Sequence, residues 1–323
     1  MLPFSINLAN RAVNLIEPPD ELDYDRPFWH MTTAALEEAE QRDELDMVAV
    51  PFDRLRALVG DTVPTPRAMI FHIGRCGSTL VSRMVGHDRR HLVLREAKPI
   101  GGLHRGTAGS DLVPTFTVEQ AFKDVLVAFE HFAEARGFED ILVKHSSWES
   151  FSMPRIAEVL PDTPLIFVCR NPIEIVESSL HGPPGWGSRL HEPPALLHRW
   201  VPWLQRVDPP YTAATVFAGV WASGVNAALE LPSDRVFIVD HAELTAAPGE
   251  TLERLSRHAR LDFSIDDALG ELNRYSKAQD DSTEYDPDER HAHPSLTEAT
   301  RRHVLDVVGE LPDRLAARLA EQD

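Results

Sequence analysis

The residues with the clearest chemical potential form the segment Gly74-Arg75-Cys76-Gly77-Ser78-Thr79, which follows a short apolar run. Glycines let a backbone approach an anion closely, and the first turn of a helix presents unpaired N–H groups with a partial positive charge. Arg75 adds a planar fork of donors, and the two hydroxyls add further donors. The segment therefore predicts a socket for a phosphate-sized anion, although an incidental turn with a serine cap has the same pattern.

This loop differs from the phosphate loop of ATPases and kinases, which has four residues between its glycines and ends in Gly-Lys-Ser/Thr. Two residues separate Gly74 from Gly77, and Ser78 stands where that loop has its lysine. Without the lysine and a metal partner, hydrolysis of a nucleoside triphosphate is disfavoured. A P-loop kinase or nucleotide hydrolase stays open as an alternative, which a requirement for Mg²⁺ and ATP would favour.

A second cationic motif follows the apolar run 165–169, which Arg170 ends. Asn171 and Pro172 are typical of a helix start, and Ser178 follows eight residues after Arg170, two turns into that helix. Arg170 and Ser178 could therefore both contact a second phosphate. A surface salt bridge is the alternative for Arg170 alone.

The elements that must position these residues alternate between strand and helix from residue 68 onward. This alternation predicts an α/β fold of the P-loop type, in which helices flank a parallel sheet and ligands bind beyond the carboxyl ends of the strands. The predicted strands are 68–73, 91–94, 140–144, 164–169 and 235–240. The predicted helices are 77–85, 117–136, 154–160, 172–180, 213–231, 248–259 and most of 295–320.

Two stretches stand apart from this alternation. Residues 1–66 are predicted as a mainly helical N-terminal extension, with helices over 32–46 and 51–58, and residues 67–323 as the main domain. The segment 181–211 is rich in proline and tryptophan. It is either a long surface connection or a lid that forms a wall of an acceptor site.

The amino-acid composition argues against some classes of binding partner. The 323 residues carry 32 Lys and Arg against 51 Asp and Glu, a formal net charge of −19. Such a surface repels phosphate backbones and anionic lipids, so nucleic acid and membrane surfaces are not expected partners. The two cysteines, Cys76 and Cys169, cannot build a disulfide framework or a Cys-only zinc site, so reduced thiols are expected. The N-terminus lacks the pattern of a signal peptide and no stretch is typical of a membrane span, which predicts a cytoplasmic location.

These motifs resemble the sulfotransferase family, which uses 3′-phosphoadenosine 5′-phosphosulfate (PAPS). The segment GRCGSTL is similar to the family's lysine-poor phosphosulfate loop, and Arg170 through Ser178 is similar to its element for the 3′-phosphate. The arrangement is nearest to bacterial sulfotransferase-domain proteins and to tyrosylprotein sulfotransferases. The resemblance spans about residues 68–310 and includes RVFIVDHAELTAAPGETLERLSRHARLDF near the end. Residues 1–66 lie outside it.

The resemblance implies a role for each matching residue. The loop residues Gly74 through Thr79 would hold the 5′-phosphosulfate, and Arg170 and Ser178 would hold the 3′-phosphate. Tyr275-Ser276-Lys277 resembles an element in which the Ser and Lys close over the phosphates, so Ser276 and Lys277 join the expected donor site. Lys277 could equally be a solvated surface lysine.

The resemblance also implies the catalytic residues. Glu96 stands where tyrosylprotein sulfotransferases have their general base, and Lys144 matches a lysine that steadies the sulfonate and the leaving phosphate. Arg75 would stabilise the same charge. The Glu96 carboxylate could instead pair with Lys98 or Arg95. His145 is a reserve candidate for the base, although it should point to the opposite face of the sheet, and His72 is expected in the core.

The resulting expectation is an enzyme that moves a sulfuryl group from PAPS to a hydroxyl of a small molecule or a peptide by in-line transfer, with no metal ion. A nucleotide-binding regulatory protein that has lost catalysis is the alternative outside the enzymes.

Cys76 could have a lowered thiol pKa beside a helix N-terminus and act as a redox switch, or it could be a small residue tolerated in the loop. The acceptor and the oligomeric state are not readable from the sequence.

Overall fold

A computed structural model describes residues 1–109, 115–273 and 295–322. The eight strands in this part of the chain are β1 (Leu2–Asn7), β2 (Ala12–Ile16), β3 (Met47–Pro51), β4 (Ala68–His72), β5 (His91–Arg95), β6 (Asp140–Lys144), β7 (Leu165–Cys169) and β8 (Val236–Asp240).

The helices fall between these strands and after β8. They are α1 (Trp29–Thr32), α2 (Ala34–Gln41), α3 (Phe52–Val59), α4 (Ser78–Val85), α5 (Lys98–Gly109), α6 (Thr115–Ala135), α7 (Met153–Val159), α8 (Pro172–His181), α9 (Pro194–Trp200), α10 (Ala213–Glu230), α11 (His241–Ala246), α12 (Pro248–Ala259), α13 (Ile265–Gly270), α14 (Glu298–Val308) and α15 (Leu311–Ala320). Short 3₁₀ segments cover Ser147–Ser152, Gly185–His191, Pro202–Arg206 and Glu271–Asn273.

The main domain is built on a parallel sheet of five strands in the order β5-β6-β4-β7-β8. Strands β4, β5 and β7 are buried along their whole length, because helices cover both faces and the strand sequences are continuous apolar runs. The α/β prediction is confirmed, and each of the five predicted strands is present with its ends shifted by one residue at most. The carboxyl ends of β4, β5 and β6 therefore lie side by side.

The extension contains the two predicted helices, as α2 and α3, and also a sheet that the sequence analysis did not predict. Strands β1, β2 and β3 form an antiparallel sheet in that order. Their burial does not alternate along β1 and β2, so the usual two-residue signature of a strand is missing. Helix α5 was also missed, since its glycines and proline argue against a helix.

The segment 181–211 is ordered rather than a plain connection. It contains α9 between two 3₁₀ segments, and Leu197, Val201 and Leu204 pack with Val216 and Val220 of α10 in a small apolar cluster. The segment therefore folds as a cover on α10.

His145, the reserve candidate for a base, is a core residue. Its ring has no exposure and stacks on Phe71 with centroids 4.2 Å apart, and its Nδ1 lies 3.2 Å from Glu149 Oε2. Burial, with a smaller effect of the Lys144 charge, lowers the pKa of His145 to about 3. The proposed role as a base is therefore wrong, because the ring lies inside the protein.

The buried neutral His145 makes the stability depend on pH. Its folded pKa lies below the ordinary value of 6.5, so between these values only the unfolded chain binds the proton. The free energy of unfolding should fall as the pH drops from 6.5 toward 3. We expect His145→Gln to reduce this slope by about 1.4 kcal/mol per pH unit in urea unfolding between pH 6 and 4. The exposed His191→Gln is the control, and an unchanged slope in His145→Gln would contradict the assignment.

Helix α10 approaches the sheet so closely that one position must lack a side chain. A Cβ on Gly224 would lie 2.8 Å from Ile73 Cγ2 and 3.4 Å from the Phe167 ring. We expect Gly224→Ala to lower the free energy of unfolding by about 1–3 kcal/mol through overpacking. Gly249→Ala in α12, where a Cβ would meet nothing within 4 Å, should instead be neutral or stabilising by about 0.5 kcal/mol. Urea unfolding of both variants tests this, and equal effects would refute the close packing.

Candidate functional site

The loop between β4 and α4 has a backbone shaped for an anion. Gly74, Arg75 and Gly77 have φ values of 75°, 55° and 86°, in the left-handed region. Gly77 is the N-cap of α4 and provides no side-chain cap, so no side chain at that position occupies the N–H groups of the first turn. A Cβ on Gly77 would lie 2.9 Å from His241 Cδ2, which adds a steric reason for glycine.

Arg75 joins the two motifs that the sequence analysis separated. Its Nε donates to the Ser178 hydroxyl at 2.9 Å, and its guanidinium lies against Gly182 at the end of α8. Residues 103 positions apart are therefore in direct contact at one edge of the sheet. The loop and the C-terminal half of α8 are therefore in contact through Arg75.

The remaining loop side chains are mostly buried. Ser78 and Thr79 are each 5% exposed, and Cys76 has no exposure. The Cys76 thiol donates to the Val168 carbonyl at 3.2 Å, and burial raises its pKa despite hydrogen bonds that work the other way. The lowered thiol pKa considered from the sequence is therefore wrong. Cys76 faces the core, so a loop ligand would meet its backbone and not its sulfur.

Glu96 and Lys144 form a buried ion pair at the ends of β5 and β6. Arg95 and Lys144 are register partners in the sheet, and the Glu96 N–H donates to the Lys144 carbonyl at 2.7 Å. The Glu96 carboxylate accepts a hydrogen bond from the Lys144 ammonium. The Lys144 side chain has no exposure, while 26% of the Glu96 side chain is exposed. The carboxylate is thus the part of the pair that faces the solvent side.

His72 connects this pair to the loop. Its Nδ1 accepts the Gly74 N–H at 3.0 Å, which leaves the ring proton of the neutral form on Nε2. Nε2 lies 3.6 Å from Glu96 Oε1. Burial and the Lys144 charge lower the pKa of His72 to about 4, so the ring is neutral near pH 7. His72 is buried as expected, but its link to Glu96 was missed, and its place at the strand end before the loop was the available signal.

The electrostatics of Glu96 result from competing effects. Burial acts to raise its pKa, but the Lys144 charge and the contact with His72 together outweigh burial and hold the pKa below its usual range. The Ser146 hydroxyl lies 3.5 Å from Glu96 Oε2. Glu96 is therefore an anion whose basicity is suppressed as long as Lys144 stays paired with it.

The two other partners considered for Glu96 bind elsewhere. Lys98 pairs with Glu37 of the extension at 2.6 Å. Arg95 is buried and donates to the carbonyls of Tyr24 and Arg26 at 3.1 and 3.4 Å. These two alternatives from the sequence analysis are therefore wrong, and both side chains hold the extension instead.

Arg170 lies at the end of β7 and its side chain is 17% exposed. Its guanidinium pairs with Glu174, one turn into α8, and its carbonyl accepts a hydrogen bond from Trp221 Nε1 at 2.7 Å. Trp221 is fully buried in α10 and fixes the backbone at this point. A phosphate at Arg170 would have to compete with the Glu174 carboxylate.

The cover formed by 181–211 bonds to Ser147, a residue that lies next to Gly74 of the loop. Trp186 Nε1 donates to the Ser147 hydroxyl at 3.0 Å, and Ser147 Cβ lies 3.3 Å from where a Cβ on Gly74 would be. The segment 181–211 therefore lies close to the anion loop.

Two of the expected donor-site residues, Ser276 and Lys277, lie outside the described residues. Within the described ranges no group of three or more His, Cys, Asp and Glu side chains could hold a metal ion. In the same ranges no helix combines the length and apolar character needed to cross a bilayer.

Comparison with solved structures finds sulfotransferases at low sequence identity. A sulfotransferase from Alicyclobacillus acidocaldarius is 14% identical, with a TM-score of 0.47 over 80% of this chain and 97% of that one. The sulfotransferase domain of the Synechococcus PCC 7002 olefin synthase is 18% identical, with a TM-score of 0.43 over 80% and 97%. Retinol dehydratase in complex with retinol and PAP is 10% identical, with a TM-score of 0.39 over 84% and 88%.

No protein of curated function matches the sequence significantly. The sequence pattern of the sulfotransferase family, however, matches residues 66–265, which is more than half of the chain and includes the loop, Glu96, Lys144 and Arg170. The chain belongs to the sulfotransferase family.

Proposed function

We propose that the protein transfers a sulfuryl group from PAPS to a hydroxyl of a small molecule or peptide. The observation that carries the proposal is the buried Glu96–Lys144 pair, which His72 connects to the anion-binding loop. The pair places an acceptor for a proton and a source of positive charge next to the loop, as transfer of a charged group from an anionic donor requires.

The residues around the loop and α8 fit the donor. The N–H groups at the start of α4 and the Arg75 guanidinium would hold the 5′-phosphosulfate, since the helix start carries a partial positive charge and the guanidinium a full one. Ser178 and Arg170 would hold the 3′-phosphate, with Arg170 released from Glu174. Ser276 and Lys277 remain part of the proposed donor site on the resemblance alone. When bound, PAPS supplies the activated sulfuryl group.

The charge state of Glu96 suggests how donor binding and catalysis are coupled. Paired with Lys144, the carboxylate is a weak base because its pKa is held low. A sulfonate beside Lys144 would compete for the ammonium, and the pKa of Glu96 would then rise. Glu96 would accept the proton of the acceptor hydroxyl as the new S–O bond forms. Lys144 and Arg75 would neutralise the charge that grows on the leaving phosphate as the old S–O bond breaks.

The two alternative functions, a kinase or nucleotide hydrolase and a regulatory protein without catalysis, require different residues at this site. A kinase or nucleotide hydrolase needs a loop lysine, and Ser78 occupies that position. A regulatory protein without catalysis would not need a carboxylate paired with an ammonium at the anion loop. Burying the lysine of such a pair costs free energy. The sulfotransferase proposal accounts for both features.

Donor binding is the first test. We expect 3′-phosphoadenosine 5′-phosphate (PAP) at about 100 times its Kd to stabilise the wild type by about 2.7 kcal/mol, seen as a higher Tm. AMP, ADP and ATP with Mg²⁺ should shift the Tm less, because they lack the 3′-phosphate. A larger shift with ATP and Mg²⁺ than with PAP would favour the kinase alternative.

The ion pair of Arg170 provides matched variants for the same assay. Arg170→Ala should lose about 1.5–3 kcal/mol of PAP binding, the value of a charge-assisted hydrogen bond. Glu174→Gln removes the competing carboxylate and should keep or improve the affinity. If Arg170→Ala binds PAP as well as the wild type does, the 3′-phosphate does not lie at Arg170.

The proton acceptor is tested separately from the donor site. Glu96→Gln keeps the shape but cannot take a proton, so turnover with PAPS should fall about 10²- to 10⁴-fold. PAP affinity should change little, because Glu96 is not a donor ligand in this proposal. Turnover close to that of the wild type, in a variant whose Tm and PAP binding show that it is folded, would remove Glu96 as the base.

A further inference from the structure

A segment of the extension, residues 20–37, packs beside the Glu96–Lys144 pair, although the match to the family begins only at residue 66. Trp29 is 2% exposed and meets the Phe129 ring of α6 edge-on at 5.9 Å. The Tyr24 ring makes edge contacts with Phe132 and Phe138 at 6.1 and 5.7 Å. Aromatic packing therefore anchors this segment on the main domain.

The same segment holds the main chain in place on both sides of Glu96, through contacts with Arg95 and Lys98 that form a clamp. Before it, the buried Arg95 guanidinium donates to the carbonyls of Tyr24 and Arg26; after it, Lys98 pairs with Glu37. Glu96 itself has a φ of 62°, in the left-handed region that is unfavourable for a residue with a side chain. The clamp holds this strained residue in place from both sides.

Phe28, between these anchors, lies at the catalytic lysine. Its ring centroid is 5.4 Å from Lys144 Nζ, within the range of a cation–π contact, and it stacks on the His30 ring at 5.5 Å. Phe28 is half-buried, whereas the Lys144 side chain has no exposure. The partly exposed ring therefore covers part of the surroundings of the buried ammonium.

We propose that Phe28 is the water-excluding wall of the catalytic centre, so that an acceptor hydroxyl rather than water receives the sulfuryl group. The inference rests on the proposed function. In the competing hydrolysis, a water oxygen forms the new bond to sulfur and its proton passes to Glu96. The S–O bond to the 5′-phosphate breaks, and sulfate and PAP leave. A wall at Lys144 suppresses this reaction because it removes the space in which such a water would stand.

The test measures PAPS hydrolysis by the full chain without an acceptor. Phe28→Ala opens the wall and should release PAP about fivefold faster than the wild type or more, because water then reaches the reacting sulfur. Phe28→Leu keeps an apolar cover and should stay near the wild type. Leu58→Ala, at a 60% exposed position of α3, is the control within the extension. PAP binding should be the same in all four proteins.

A second readout does not depend on the donor. Trinitrobenzenesulfonate, with peptide mass analysis, should modify Lys144 faster in Phe28→Ala than in the wild type or Phe28→Leu. If all variants bind PAP but hydrolysis and Lys144 labelling are unchanged in Phe28→Ala, the role of Phe28 is refuted and the proposed function stands. If the wild type does not bind PAP, the proposed function fails, and this inference fails with it.

Discussion

The buried ammonium of Lys144 is the constraint on which the rest of the site depends. An unpaired charge inside a protein costs several kcal/mol, so Lys144 requires a carboxylate at contact distance. The residue after β5 supplies it, because β5 is one of the two neighbours of β6 in the sheet. Glu96 takes a left-handed backbone conformation there, and its N–H bonds the carbonyl of the lysine it neutralises. The strain at Glu96 is thus tied to the charge at Lys144.

His72 makes the anion loop and this ion pair parts of a single arrangement. One ring nitrogen is committed to the Gly74 N–H, and the other faces the Glu96 carboxylate. A shift of the loop would therefore move the His72 ring and change the electrostatic surroundings of the Glu96 carboxylate. A shift of Glu96 would in turn change the contact of His72 with the loop. The low pKa of His72 keeps the ring neutral, so both contacts persist with the same tautomer across the physiological range.

The sequence was sufficient for the five-stranded parallel sheet, and insufficient for the antiparallel sheet β1-β2-β3 and for the side-chain pairings at the carboxyl ends of the parallel strands. Apolar runs at 68–73 and 164–169 predict buried parallel strands, and parallel strands bring their carboxyl ends to one edge. Which side chains meet there depends on distances of a few ångströms. The Arg170–Glu174 pair was readable as an i,i+4 contact once the helix was placed. The link from His72 to Glu96 was not, since it depends on a tautomer and on the turn at Glu96.

The clamp on Arg95 has a consequence for the substitutions that the extension can accept. Its acceptors in the extension are the main-chain carbonyls of residues 24 and 26, and a carbonyl is present whatever the side chain. A substitution at position 26 keeps this carbonyl, so the clamp does not depend on the Arg26 side chain, which pairs with the exposed Asp23. The extension can therefore change its sequence at such a position and still hold the main chain beside Glu96 in place.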